Sequence, residues 1–319
     1  MTSMRVGVMR GGISDEYDIS LKTGGAVLKV LAENGGKPRD ILITKDGTWH
    51  LDGVPVVPEN IARQVDVMWN GLHGEYGEDG KVQQLLETLK VPYTGSRPFA
   101  SALGMNKQLS KRRFLDAGLL TPQGFVVNRG ERGEDTARSI FQKMAPPYIV
   151  KPLTGGSSIG VVMARTPGQL AALIAGLLAS SESIIVEEYI RGREVVAGAV
   201  EVGDGMIHSL RPLSVTLPDG EHVFTQNLKH SPGDLYAPVE SRAQHDDIAY
   251  AMRTLARELS IRHYFTADFI SSPHGLYILE VNTLPGLSST SAFSRMLHEQ
   301  DSNLGEFVEH MLLLALEGK

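Results

Sequence analysis

Short apolar runs alternate along the chain with longer segments in which an apolar residue recurs every three or four positions, so strands interleaved with helices are expected. Arg5–Met9 is a short buried strand and Gly11-Gly12 a tight turn, while Ile19–Leu31 is a helix with an apolar stripe, capped by Ser14, Asp15 or Asp18. Ile41–Thr44 and Thr48–His50 flank Asp46-Gly47, a hairpin dipeptide. Val65–Trp69 is another buried strand, running into the loop Asn70–Gly80 and the helix Lys81–Leu89. Thr94–Ser96, followed by Arg97-Pro98, marks the crossing into a second unit that begins with a single helix, Ala100–Ala117. Beyond it, Tyr148–Lys151, Val161–Ala164, Ser183–Ile190 and Glu194–Val200 are strands. Thr166 caps a helix over Gly168–Ala179 with Pro167 at its first position, and Asp246–Leu259 and Gly305–Leu316 are helices. The fold class is therefore α/β, without internal repeats or low-complexity segments.

The stretch Tyr264–Gly286, YFTADFISSPHGLYILEVNTLPG, carries the densest chemistry. Two runs rich in aromatic and aliphatic residues flank Pro273-His274-Gly275, the signature of a hairpin. A three-residue loop places Ser272 opposite Leu276 and Asp268 opposite Glu280, with Asn282 on the same face and Leu276, Ile278 and Ile270 as its apolar remainder. Carboxylates so close repel unless a cation lies between them, and two acids with a neutral amide oxygen suit Mg²⁺. The alternative is a solvated hairpin face.

Two loops add to this. Thr154–Gly160, TGGSSIG, follows a strand ending in Lys151, and its small residues allow backbone N–H groups to approach phosphate oxygens. It lacks the G-K-[ST] ending of a Walker loop and no helix follows, so a flap over a nucleotide is expected, against the alternative of an ordinary Gly-Ser turn. Thr225–Pro238, polar and rich in Pro and Gly, has the composition of a lid.

With 319 residues and 42% hydrophobic content the chain can bury a large core and divide into two or three domains. A net charge of -6 argues against a nucleic-acid partner, which needs a basic face. The absence of cysteine excludes disulfides, thiolate metal sites and cysteine nucleophiles, and fits a reducing cytoplasm. The N-terminus has no apolar signal core and the longest apolar run, Ala171–Ala179, is too short to span a bilayer, so a cytoplasmic protein with no membrane partner is expected.

Seven stretches, GGISDEYDISLKTG, LHGEYGEDGKVQQLLE, PYTGS, ASALGMNK, YIVKPLTGGSSIGV, IIVEEYIRGRE and ILEVNTLPG, occur in the order found in one family. On them the chain resembles the D-alanine:D-alanine ligases of the ATP-grasp superfamily over nearly its whole length. The resemblance implies an ATP-grasp fold with an N-terminal α/β substrate domain over 1–99, a central subdomain with the glycine-rich flap over 100–190, and a C-terminal subdomain with lid and metal site over 191–319. ATP would lie between the last two. Lys107, Lys151 and the flap residues Ser157 and Ser158 would meet the phosphates, Glu187, Glu188 and Ile190 the adenine, Glu194 the ribose and Lys229 the γ-phosphate. Asp268, Glu280 and Asn282 would hold two Mg²⁺ ions, with Mn²⁺ an alternative. Glu16 would bind the first D-alanine's ammonium, oriented by Ser157, with His73 near its carboxylate, the Gly286 N–H at the oxyanion and Ser291 at the second substrate's carboxylate. A homodimer is the assembly such ligases usually form. By spacing alone, Glu16 is equally a first-turn acid of a helix and His73 a loop histidine bonded to nearby backbone.

Two positions depart from the family pattern. The lid tyrosine that completes the triad with Glu16 and Ser157 is His230, and the arginine two residues before the first metal carboxylate is Thr266. Arg10 and Arg211 are candidates to replace that charge. A protonated His230 would favour a hydroxy acid over an incoming ammonium, so D-alanine:D-lactate ligation stands as an alternative, beside ligation of another amino acid and a nucleotide-binding relative without catalysis.

Overall fold

The protein is represented by a computed structural model that describes residues 4–218 and 235–318. Its apolar runs are sorted into three sheets. In the first, Val6–Gly11 lies between parallel neighbours Arg39–Ile43 and Val67–Asn70, and the antiparallel strands Trp49–Leu51 and Val54–Pro55 complete five strands. The second is antiparallel, ordered Gly124–Asn128, Ser183–Glu188, Tyr148–Pro152, Val162–Ala164. The third runs Tyr236–Pro238, Leu213–Val215, Arg193–Glu201, Tyr264–Ser272, Gly275–Asn282, with Ile207–Ser209 also paired to Arg193–Glu201.

Helices cover the sheets with the faces their periodicity dictates. Tyr17–Glu33 and Leu304–Glu317 pack between the first and third sheets, where Trp69 stacks on Tyr264 at 5.9 Å and Phe307 and Phe293 meet Tyr264 at 5.1 Å and 5.7 Å. Each such ring pair contributes about 0.5–1.5 kcal/mol beyond its burial. This aromatic core joins the N-terminal sheet to the C-terminal one. Arg242–Leu259, starting four residues before the expected Asp246, covers the other face of the third sheet, and Gly133–Phe141 with Pro167–Leu178 cover the second.

Three local expectations are corrected. The helix Tyr17–Glu33 has Glu16 at its N-cap and no side-chain cap, because the Ser14 hydroxyl is used elsewhere, accepting the Glu16 N–H at 3.2 Å and donating to the His73 carbonyl at 2.6 Å. The helix expected over Ala100–Ala117 is two, Pro98–Met105 and Lys107–Asp116, broken at Asn106. Asn106 takes extended backbone and its side-chain oxygen accepts the N–H groups of Gln108 and Leu109, which starts the second helix at Lys107. Finally, the hairpin turn is Pro273-His274, two residues rather than three, since Ser272 pairs with Gly275 and Ser271 with Leu276.

That shorter turn by itself would put Glu280 opposite Ala267, on the wrong face. A bulge at Leu279 adds one residue to the returning strand, so Phe269 pairs with Ile278 but Asp268 pairs with Glu280 and Thr266 with Asn282. The same slip moves Leu276 and Ile278 to the opposite face, against the core under helix Arg242–Leu259. The carboxylate pairing expected from a three-residue loop is thus present, produced by a different geometry.

Candidate active site

Two cavities flank the junction of the second and third sheets. One, of about 370 Å³, is walled by Lys151, Glu187, Glu188, Ile190, Glu194, Asp268, Ile270, Leu279 and Glu280. The other, of about 720 Å³, is lined by Glu16, Lys107, Lys151 and the flap residues 154–156 and 158–161. They share Lys151, Ser158, Val161 and Glu280.

Lys107 begins its helix with the ammonium 2.6 Å from the Gly155 carbonyl and 3.4 Å from Glu280 Oε2. Lys151, at the end of its strand, lies 2.9 Å from Glu187 Oε2. Burial pulls its ammonium down, but Glu187, Glu280 and Asp268 together outweigh that and raise it, so it is charged. Glu187 is 1% exposed; burial pushes its carboxyl up, and Lys151 and Lys111 overcome this and hold it below the ordinary range. Glu188 Oε1 accepts the Gln123 N–H at 2.8 Å, fastening the start of Gly124–Asn128 to Ser183–Glu188. Two carboxylates face each other across the bulge, and Asn282 on the same strand accepts the Leu284 N–H at 2.9 Å. Among the described residues no cluster of three or more His, Cys, Asp or Glu forms, so the candidate metal set is two acids and an amide.

In the larger cavity the Ser157 hydroxyl donates to Glu16 Oε1. Ser157 and Ser158 sit at φ of +54° and +55°, a region that costs a non-glycine residue about 1–3 kcal/mol and is met at ligand clamps. Glu16 is packed against Gly74, whose absent Cβ would lie 2.6 Å from its Oε2. His73 is 3% exposed, with Nε2 at 2.8 Å from Thr23 Oγ1 and Nδ1 at 3.9 Å from Glu78 Oε2. Burial pushes its imidazole down to about 4, so it is neutral at pH 7. It is held behind the cavity wall rather than on it.

Gly286 and Ser291 belong to the loop after the hairpin. An added Cβ on Gly286 would be 3.9 Å from both Ser291 Cβ and Thr23 Oγ1. The Ser291 hydroxyl caps helix Ala292–His298, accepting the Ser294 N–H at 3.2 Å. Thr266 is buried, its neighbours across the sheet being Gly198 and Asn282. Of the two arginines proposed to replace its charge, Arg10 is bidentate to Asp40 at 2.7 and 2.6 Å, and Arg211 is 3.6 Å from Glu299. Lys229, His230 and most of the expected lid lie outside the described residues.

Three site neighbours were not anticipated. Lys111 reaches Glu187 from behind at 2.7 Å. Thr23 joins His73 to the Leu287 N–H, at 3.4 Å from the latter. Glu78 accepts the Gly74 N–H at 2.8 Å and the Leu284 N–H at 3.3 Å, fastening the N-terminal loop to the loop of Gly286. Burial, then the charges of Glu16 and Glu280, pushes the Glu78 carboxyl up to about 8. The signal for Lys111 was its place one helical turn after Lys107; nothing in the pattern marked it as buried.

The family described as "D-ala D-ala ligase C-terminus" matches residues 114–313, and "D-ala D-ala ligase N-terminus" matches 54–96. A D-alanine–D-alanine ligase of Geobacter sulfurreducens is 33% identical over 99% of this chain and 95% of its own length. The D-alanine–D-alanine ligase structure from Coxiella burnetii superposes with a TM-score of 0.85 at 20% identity, covering 99% of this chain and 96% of the other. The Bacillus anthracis enzyme complexed with ATP superposes with a TM-score of 0.80 at 25% identity, covering 99% and 98%.

Proposed function

The chain belongs to the D-alanine–D-alanine ligase family, and from that premise we propose that it is a carbon–nitrogen ligase joining two D-alanines at the expense of ATP, for peptidoglycan precursor synthesis. The observation that carries the reading is the meeting of two cavities at Lys151, Ser158 and Glu280, one containing Glu16 and the other Glu187 and Glu194. An amino acid in the first and a nucleotide in the second would present a carboxylate and a γ-phosphate to each other there.

The three sheets support a division into an N-terminal substrate domain over 1–99, a central subdomain over 100–190 and a C-terminal subdomain over 191–319. In the nucleotide cavity Glu187, Glu188 and Ile190 would take the adenine and Glu194 the ribose. Lys107, Lys151 and the flap backbone at Ser157 and Ser158 would hold the phosphates. Asp268, Glu280 and Asn282 fit two Mg²⁺ ions, since carboxylates opposed on one sheet face beside an amide oxygen are donors that this ion, or Mn²⁺, accepts. The metal would supply charge neutralisation at the phosphates.

The first D-alanine's carboxylate oxygen attacks the γ-phosphorus, the bond to the bridging oxygen breaks, and ADP leaves with that electron pair. Lys107 and Lys151 offset the charge that moves. The second D-alanine's neutral amine then attacks the acyl carbon, the C–O bond to phosphate breaks, and phosphate leaves with that electron pair and, in the net reaction, the amine's proton. Glu16, aimed by Ser157, would hold the first ammonium. Neutral His73, locked by Thr23, would shape the first site without adding charge. The Gly286 N–H would face the oxyanion, and Ser291 would meet the second carboxylate. Lys229 at the γ-phosphate and His230 at the second site are assigned on the family resemblance. A cytoplasmic homodimer completes the proposal; among the described residues no helix is long and apolar enough to cross a membrane.

Mass spectrometry of the product from ATP, Mg²⁺ and an equimolar mixture of D-alanine and D-lactate tests it. D-alanyl-D-alanine is expected. The D-lactate ester would reassign the second substrate, and absence of either product would withdraw the activity.

A further inference from the structure

Lys111 is 6% exposed and does not line the cavity assigned to the nucleotide, yet its ammonium is surrounded by oxygen atoms. It donates to Thr121 Oγ1 at 2.9 Å and to the Pro122 carbonyl at 2.9 Å, and lies 2.7 Å from Glu187 Oε1. The partner hydroxyl is itself anchored, since Thr121 Oγ1 donates at 2.8 Å to the Ile278 carbonyl, on the strand that carries Glu280. Two hydrogen bonds and one ion pair thus hold the ammonium in place, the ion pair facing Glu187.

The other oxygen of Glu187 is 2.9 Å from Lys151. Two ammoniums therefore share one buried carboxylate, and the triad is positive by one charge. Without Lys111 the charge of Lys151 would be spent on Glu187, because a buried carboxylate needs a cation beside it. With Lys111 behind, Glu187 is neutralised from outside the cavity and Lys151 faces the space beside Glu280 as a net cation. Burial pulls the Lys111 ammonium down to about 8 against the opposing pull of Glu187, which leaves it mostly charged at pH 7.

We propose that Lys111 is a positioning residue for the nucleotide: by pairing with Glu187 from behind, it leaves the charge of Lys151 for the phosphates. The inference rests on the assignment of this cavity to the nucleotide. It separates two contributions that a merely structural lysine would not separate. Loss of Lys111 should weaken the hold on the phosphates, while the hold on the base and ribose changes little.

Calorimetric titration of the full chain with ADP and with adenosine reads this directly. In Lys111→Met the ratio of ADP to adenosine affinity is expected to fall by at least about tenfold, as for loss of one partner of a buried charge pair. Lys111→Arg should keep the ratio within about threefold of the parent. In Lys111→Met/Glu187→Gln, where the competing anion is also gone, the ratio should return toward that of the parent. If Lys111→Met does not fold, Lys111→Gln, which keeps a donor for the Pro122 carbonyl, replaces it. Equal weakening of both ligands, or no change in either, overturns the inference. Lys151→Met is measured beside them: if it binds ADP like the parent, the nucleotide assignment fails and the inference falls with it.

Discussion

The Ser157 hydroxyl donates to the Glu16 carboxylate, joining the glycine-rich flap to the start of the first helix across 141 positions of chain. The contact places the flap tip over the cavity that contains Glu16, so the flap's closure and the orientation of the acid are one event. Ser157→Gly isolates it, because glycine adopts φ of +54° without cost and only the hydroxyl is lost. A hydrogen bond to a charged group contributes about 1.5–3 kcal/mol, so kcat/KM for the first D-alanine should fall by roughly 10- to 150-fold. Steady-state kinetics with D-alanine varied at saturating ATP would measure it; an unchanged kcat/KM would remove Ser157 from the site.

Gly74→Ala is expected to be more severe. Gly74 is at φ +71°, and a Cβ would sit 2.6 Å from Glu16 Oε2. The carboxylate must move, and about 1–2 kcal/mol of backbone strain is added. D-alanine-dependent ATP hydrolysis should drop at least about tenfold while ADP affinity, read by calorimetry, stays near that of the parent.

The bulge at Leu279 keeps Asp268 and Glu280 on one face. Deleting Leu279 makes the hairpin regular with Ile278 still opposite Phe269 and Glu280 still opposite Asp268, so the Mg²⁺ requirement should stay near that of the parent. Asp268→Asn leaves the hairpin intact and should raise the Mg²⁺ concentration for half-maximal activity by about tenfold or more, since a carboxylate donor becomes a neutral one. A Mg²⁺ titration of ATP turnover distinguishes the two.

Much of this was legible in sequence. The strands Val6–Gly11, Val67–Asn70 and Ser183–Glu188 announce themselves by the short apolar runs Val6–Met9, Val67–Trp69 and Ile184–Val186, as buried strands do. Thr166 does cap its helix, accepting the Gln169 N–H at 3.2 Å, because a Thr-Pro start has few other solutions. The break at Asn106 was missed because Ala100–Ala117 keeps good helix formers on both sides, and one side-chain cap outweighs that propensity. The two-residue turn and its bulge were missed together, since each shifts the register by one and the errors cancel at Asp268 and Glu280. Lys111, Thr23 and Glu78 were invisible because their burial depends on packing between distant segments, which no local period encodes.

Stability should depend on pH through groups outside the chemistry. His263 is buried, and its Nδ1 accepts the Gly95 N–H at 3.0 Å, tying the N-terminal unit to the third sheet. Burial, with Arg262 adding to it, pushes the imidazole down to about 3. A depressed folded value means the contribution is complete above the unfolded value near 6.5 and is lost as pH falls toward 3, on the order of 3–5 kcal/mol in all. Glu78 acts with the opposite sign: its carboxyl, raised to about 8, makes the fold lose stability as pH rises from about 4.5 to 8. Between about pH 4.5 and 6.5 the two oppose each other, and buried His73, lowered to about 4, tips the balance toward higher pH, so urea midpoints should be highest near pH 6.5. His263→Asn, which tolerates the φ of +68°, should flatten the acid limb only.

The central claim is that the first D-alanine's carboxylate attacks ATP to form an acyl phosphate, with the two cavities meeting at Lys151 and Glu280. The most direct measurement uses D-alanine labelled with ¹⁸O in its carboxylate, with ATP and Mg²⁺, and mass spectrometry of the inorganic phosphate released. The account predicts one ¹⁸O transferred to phosphate for each dipeptide formed. Dipeptide formation with unlabelled phosphate would contradict it, because the acyl oxygen would then never have been bonded to phosphorus.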